Sequence, residues 1–355
     1  MASLSSPDSS RSLQAQVKEL INLLPTLQHK KWVERSLATL LDIAREEIDR
    51  LDWKILSASL QDMQRAFYTF YPYRYVRKVT IFGSARTAPD RSEYLMALEF
   101  ARRMTQLGFM VITGAGGGIM QAGNEGAGAT RSFGLNIQLP FEHETNPYIQ
   151  GDPKLIDFKY FFTRKLFFLK ESDAIALFPG GFGTQDEAFE TLTLVQTGKY
   201  GPAPLVLIDS PGGDYWQDWD AYIRKHLLGR DLISPEDTGL YTITDDLDVA
   251  CDAITNFYRV YHSSRYVDKQ LVLRLRCELQ DAAVEQLNAE FSDILVEGRI
   301  VKSAALPKEL GDETADLPRL VLYFNRRDVG RLYQLIRQIN QLGCDVPESA
   351  HPEQK

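Results

Sequence analysis

Pro179-Gly180-Gly181-Phe182-Gly183-Thr184, followed by Glu187, is the stretch of this sequence best suited to chemistry. Glycines let a ligand approach the main chain closely, and amides at a helix start carry partial positive charge. A nest of this kind suits a phosphate. Glu187 stands one helical turn further on, within reach of whatever the phosphate is attached to. The plainer alternative is a tight strand-to-helix connection with an exposed acid behind it. On the helix itself Phe189, Leu192 and Val195 are spaced as a core stripe, leaving Glu187, Glu190 and Thr191 on a neighbouring arc. Asp186 and Glu190 then read as solvated acids near a helix start.

Two cations precede that turn. From Asp157 to Glu171 the residues Phe158, Tyr160, Phe161, Phe162, Phe167 and Phe168 spread around nearly a whole helical circumference, the pattern of a buried helix. Arg164 and Lys165 stand in its middle. A buried guanidinium keeps its charge and needs an anion, from a protein carboxylate or from a substrate. Lys165 can reach the surface along its stem. A second glycine run, Gly114-Ala115-Gly116-Gly117-Gly118, follows the apolar Phe109–Thr113, and an earlier strand ends in Gly83-Ser84-Ala85-Arg86. The run lacks GxGxxG spacing, an acid after the next strand and the GK[ST] of a Walker loop, which argues against NAD binding and ATP hydrolysis.

Taken together, Pro179-Gly180-Gly181-x-Gly183-Thr184-x-x-Glu187 resembles the signature of the LOG family. These are nucleoside 5′-monophosphate phosphoribohydrolases, including the enzymes that release free cytokinin bases, and were long labelled lysine decarboxylases. Thr113-Gly114-x-Gly116-Gly117-Gly118-Ile119-Met120 is similar to the segment lining that family's nucleotide pocket. Tyr160-Phe161-Phe162-x-Arg164-Lys165 is similar to the Arg-Lys motif preceding its glycine turn. The likeness covers about residues 76–260. It implies hydrolysis of a nucleoside 5′-monophosphate such as AMP or a cytokinin nucleotide, giving free base and ribose 5-phosphate. The reacting carbon becomes oxocarbenium-like, and a carboxylate there stabilises charge, orients ribose hydroxyls or activates water. Glu187 is the candidate, with Arg164 binding substrate oxygens or supporting departure of the base. Gly180, Gly181, Gly183 and Thr184 are expected to hold the phosphate; Ser84, Arg86, Gly117 and Lys165 complete the substrate-binding set. No metal and no cofactor is expected: none of the five histidines clusters with acids, and nothing marks a pyridoxal-phosphate lysine.

The elements that must position these residues alternate strand and helix. Val76–Ile81, Phe109–Thr113, Gly134–Leu139, Ala174–Phe178 and Pro204–Ile208 read as buried strands, each followed by a helical pattern. That predicts an α/β, Rossmann-like doubly wound parallel sheet over residues 76–262. Asp214, Tyr215, Trp216 and Trp219 open a helix, their aromatics read as packing. In front lie a polar tail over residues 1–12 and a helical region over 13–75, in which Val17, Leu20, Ile21 and Leu24 recur and Pro25 breaks the run. His262-Ser263-Ser264-Arg265 reads as a linker. Beyond it, residues 268–343 read as a small βαββα, ferredoxin-like α+β domain for assembly or regulation. A chain shortened near His262 is therefore expected to stay folded.

Length and composition suit a soluble protein of two or three domains: 355 residues, 44% hydrophobic, 25% charged. A net charge of −8 argues against a nucleic-acid polymer as partner but not against a mononucleotide. No apolar run is long enough for a bilayer, so no membrane partner is expected. Cys251, Cys277 and Cys344 are far apart, form no disulfide framework and favour a reducing cytoplasm. A homo-oligomer, dimer or higher, is expected, with the N-terminal helices covering the core or building its interface. Two rival readings remain: a non-catalytic nucleotide sensor that keeps the phosphate nest, and a structural scaffold, which leaves both glycine turns without a purpose.

Overall fold

The computed structural model describes residues 29–139 and 144–343, together with Ala15 and Glu19. The polar tail and most of the first expected helix, with Val17, Leu20, Ile21, Leu24 and Pro25, lie outside the described residues. Strands Lys78–Phe82 (β1), Met110–Thr113 (β2), Ala174–Leu177 (β5) and Leu205–Ile208 (β6) bury every residue, as helices on both faces of a parallel sheet require. With Ser132–Ile137 (β3), Leu155–Phe158 (β4) and Tyr241–Thr244 (β7) they form one sheet in the order β4-β3-β2-β1-β5-β6-β7. All its pairings are parallel. The chain winds outward from β1 to β4, returns to place β5 beside β1, and winds outward on the other side. The winding reverses between β1 and β5, and a crevice opens beyond their carboxyl ends. This is the doubly wound α/β fold that the alternation predicts.

Two details differ from the sequence pattern. Asp157 and Phe158 belong to β4, and the helix runs only over Phe161–Lys170. That helix is not buried all round: Phe167, Phe168 and Leu169 face the core, whereas Phe161, Phe162 and Leu166 are exposed. Ten residues laid on one sheet face can bury only one side, whatever the composition of the other.

The chain divides into two compact units between Gln61 and Asp62. The first holds the helix Lys30–Arg45, none of whose residues is buried, and the opening turns of the helix Arg50–Phe70. The second begins at Asp62 and carries both sheets. Its smaller sheet pairs Tyr261–Val267 (β8), Gln270–Leu275 (β9), Leu295–Ser303 (β10) and Arg319–Phe324 (β11), all antiparallel, in the order β10-β11-β9-β8. Helices Asp281–Glu290 and Val329–Leu342 cover it. The βαββα pattern is present, and β8 supplies the further strand of a ferredoxin-like arrangement from the N-terminal side. His262–Arg265 are thus strand, not linker. Their polar character fits an edge strand, which needs no apolar alternation.

One hydrophobic cluster joins Val195, Leu240, Phe257 and Tyr258 to Leu273, Leu320, Leu335 and Ile336. The Tyr333 hydroxyl donates to the Ala203 carbonyl at 2.9 Å and accepts from the Ala203 amide at 2.9 Å. Arg77 pairs with Asp173 at 3.2 Å and donates to the His262 carbonyl at 3.2 Å. These contacts reverse the expectation for a chain shortened near His262. Each large apolar side chain left bare forfeits about 1.5–3 kcal/mol, so the shortened chain is expected to lose the cooperative transition seen by calorimetry in the full chain. An unchanged melting temperature would show instead that the parallel sheet stands alone.

Among the described residues Cys251 is free and buried, while Cys277 is disulfide-bonded; the expectation that the distant cysteines form no disulfide framework does not hold for Cys277. No helix among the described residues is long and apolar enough to cross a membrane.

Candidate active site

The glycine turn after β5 leads into the helix Phe182–Gln196, with Gly181 at its N-cap and no side chain capping it. The first-turn amides therefore have no partner within the helix. The helix starts two residues ahead of Thr184, which sits buried in its first turn. Gly180 is required by crowding: a Cβ there would lie 2.1 Å from Thr184 Oγ1 and 2.9 Å from the Ser84 amide nitrogen. Around Gly181 and Gly183 a Cβ would meet nothing within 4 Å, and both glycines line the cleft. The Tyr215 hydroxyl donates to the Gly180 carbonyl at 2.5 Å and accepts from Gln185 Nε2 at 2.6 Å. Tyr215 thus braces the turn rather than merely packing.

Across the crevice the end of β1 meets the second glycine run. Gly118 takes a positive φ of 61°, and a Cβ there would stand 2.2 Å from the Ser84 carbonyl oxygen. The Ile119 amide donates to that same oxygen at 3.0 Å. Ala115 beside it holds φ 63°, a conformation that costs a side-chain-bearing residue about 1–2 kcal/mol. The two loops are locked together, and together they face the β5 turn.

Between them lies a cleft of about 940 Å³. Gly180, Gly181, Gly183, Thr184, Ser84, Arg86, Gly117, Arg164 and Glu187 line it, whereas Lys165 does not. Arg164 Nε donates to the Leu135 carbonyl at 2.7 Å and Nη2 to the Gly114 carbonyl at 3.3 Å. Its guanidinium lies over the Phe168 ring, 5.0 Å from the centroid. Burial pushes its pKa down to about 10, with Glu187 opposing. Among the described residues Arg164 forms no ion pair within 4.0 Å, so two main-chain carbonyls orient it beside the cleft.

Glu187 faces the cleft, as its place off the apolar stripe allows, and is buried there. The inner face of its helix is Thr184, Glu187, Ala188, Thr191 and Val195, while Phe189 remains exposed. The helix is turned this way because its first turns front the polar crevice and only its far end reaches the apolar core. Glu187 Oε2 is buried without any hydrogen-bond partner. Burial raises its pKa to about 7; the Lys165 ammonium opposes this, and the Glu190 carboxylate adds to it. Lys165 Nζ stands 2.8 Å from Asp186 Oδ2, 2.6 Å from Glu190 Oε2 and 3.6 Å from Glu187 Oε1. Burial works against the Lys165 charge, but the hydrogen bonds it donates to Asp186 and Glu190 outweigh it and raise its pKa. Asp186 and Glu190 are therefore counter-ions, and Lys165 acts on Glu187 from behind the cleft wall.

The raised pKa has a consequence for stability. The folded state holds the Glu187 proton up to about pH 7, whereas the unfolded chain releases it near the ordinary carboxylate value of about 4.3. Stability contributed by this group is whole below that value and is lost as pH rises through 7. Glu187→Gln is expected to melt at a higher temperature than wild type at pH 8, by at most about 4 kcal/mol of stability, and to approach it at pH 4. Equal melting temperatures at both pH values would show that Glu187 titrates normally.

Two contributors carry no signal in the sequence. Asp62 is fully buried and accepts hydrogen bonds from the Lys159 amide at 3.0 Å and Thr163 Oγ1 at 2.9 Å. It thereby anchors the entry to the helix that carries Arg164 and Lys165, from nearly a hundred positions away. Phe182 is 96% exposed at the cleft rim. Among the described residues no three His, Cys, Asp or Glu side chains are grouped to hold a metal ion.

No curated protein matches the sequence. Among solved structures the chain is similar to the molybdenum cofactor carrier protein of Chlamydomonas reinhardtii, at 19% identity and TM-score 0.36, over 50% of this chain and 95% of that one. It is also similar to the molybdenum cofactor binding protein of Rippkaea orientalis, at 16% identity and TM-score 0.35, over 50% and 94%. A third is DNA processing protein A from Helicobacter pylori, at 19% and 0.30, over 38% and 66%. Likenesses at this level say nothing of what this chain binds. The family match is of another kind: residues 115–254 fit the model described as possible lysine decarboxylase. Gly117, Arg164, Lys165, the β5 turn and Glu187 all fall within it, while Ser84 and Arg86 are brought to the same cleft from outside. Over residues 115–254 the chain matches the model of the possible lysine decarboxylase family, the family of the LOG proteins.

Proposed function

We propose that the cleft hydrolyses the N-glycosidic bond of a nucleoside 5′-monophosphate, such as AMP or a cytokinin nucleotide, to free base and ribose 5-phosphate. Glu187 carries the reading: a buried carboxylate with one unpartnered oxygen, on the cleft wall one turn past an open amide nest. Bound phosphate at Gly181 and Gly183 puts the ribose towards Glu187. As the bond from the anomeric carbon to the base breaks, its electron pair leaves with the base and positive charge grows on the sugar. A carboxylate with no competing partner is free to stabilise that charge, or to accept a proton from the water that bonds to the same carbon. Arg164, held by two carbonyls and by no acid, presents the rest of its guanidinium to substrate oxygens or to the departing base.

The test is a panel of nucleoside monophosphates incubated with the protein, with free base measured by chromatography. Release of base is the expected result, with kcat/KM rising through about pH 7 as Glu187 ionises. Tight nucleotide binding with no base released would favour a sensor. We further propose a homo-oligomer, supported by the exposed Phe161, Phe162 and Leu166; a monomeric mass in sedimentation would remove it.

A further inference from the structure

A second recess lies at the opposite end of the parallel sheet. The N-terminal ends of β6 and β7, the helix Leu247–Thr255 and the helix Val329–Leu342 enclose a cavity of about 490 Å³. That is within the range of about 300–1,000 Å³ usual for small-molecule sites. Its floor is apolar, made by Leu205, Leu240 and Phe257, all buried. Tyr333 and Asn340 line it too, but their polar atoms are engaged with main-chain groups and serve as wall.

The charges on the lining are unequal. Arg259 and Arg337 both border the cavity, against one acid, Asp252. Neither arginine forms an ion pair within 4.0 Å among the described residues. Arg337 donates through Nη2 to the Gly239 carbonyl at 2.6 Å, its only hydrogen bond there. Arg259 uses Nε and Nη2 on the Asn340 carbonyl and Nη2 on the Gln341 carbonyl. Each guanidinium thus spends one edge on the main chain and keeps donors for something else. Burial works against the Arg337 charge, so an anion at this place is favoured over water. We propose that the cavity binds a small amphipathic organic anion, a ring or branched apolar body carrying one oxyanionic head. The body rests on Leu205, Leu240 and Phe257, and the head meets Arg337 and Arg259. This site is separate from the nucleotide cleft and does not depend on the activity proposed there.

Fluorescence titration with 8-anilinonaphthalene-1-sulfonate, an aromatic anion, tests it on the full chain. Saturable binding is expected, weakened at least tenfold by Arg259→Met with Arg337→Met, which keeps the stems and removes both charges. Val249→Trp, on the exposed part of the cavity rim, is expected to block binding and decides the matter should the double variant fail to fold. Phe182→Ala, in the other cleft, is expected to leave the titration unchanged. Absence of saturable binding would overturn the proposal. So would binding that survives Val249→Trp or the folded double variant, or that disappears with Phe182→Ala.

Discussion

Glu187→Gln is expected to lower kcat for nucleotide hydrolysis by roughly 10²–10⁴-fold while leaving KM within a few-fold of wild type. The substitution keeps size and some hydrogen bonding but removes the negative charge and the proton acceptor. Charge on the sugar develops only in the transition state, so the loss falls on kcat. Ground-state binding survives because the amides of Gly181, Gly183 and Thr184 are untouched. Unfolding is not a competing explanation: burial with an unpartnered Oε2 makes the ionised side chain a liability to the fold. The variant is expected to be slower and, above pH 7, more stable. A structural acid predicts the opposite pairing, near-normal turnover with lost stability. Turnover of the variant within a few-fold of wild type would take Glu187 out of the mechanism.

Removing the 5′-phosphate from the substrate is expected to cost as much. A phosphate in the nest accepts from several first-turn amides, and each charge-assisted hydrogen bond is worth about 1.5–3 kcal/mol. Loss of two lowers kcat/KM for adenosine relative to AMP by roughly 10²–10⁴-fold, at about 1.4 kcal/mol per decade. Gly180→Ala reaches the same contacts from the protein side. Its methyl group would have to displace Thr184 or the Ser84 main chain, so the preference for AMP over adenosine is expected to shrink. Equal turnover of adenosine and AMP by wild type would refute the phosphate nest.

The parts of the site that could be read from the chain are those in which local order does the work. Gly180, Gly181, Gly183 and Thr184 make an amide nest wherever a strand runs into a helix through that turn, since the unpaired amides follow from helix geometry alone. The spacing to Glu187 is one helical turn in any fold. Strand patterns buried on both faces announced a parallel sheet, and a parallel sheet places its ligand at the carboxyl ends.

Rotation and partnership were not legible in the same way. Which side of the Phe182–Gln196 helix faces inward depends on what it packs against. The crevice, not the helix's own apolar stripe, turned Glu187 into a buried position. Composition likewise predicted a helix buried all round at Phe161–Lys170, but one sheet face could cover only half of it.

By itself, then, the sequence determined the α/β class, the two glycine turns and the residue types of the cleft, because each follows from periodicity or backbone chemistry within a few residues. Only the tertiary structure decided that Lys165 serves Asp186, Glu190 and Glu187 rather than the cleft, and that Arg164 answers to two carbonyls. It alone made His262–Arg265 the edge strand of a sheet whose core is shared with its neighbour. Ion pairs, anchors such as Asp62 and shared cores join residues far apart in the chain, and no local pattern encodes the partner that packing supplies.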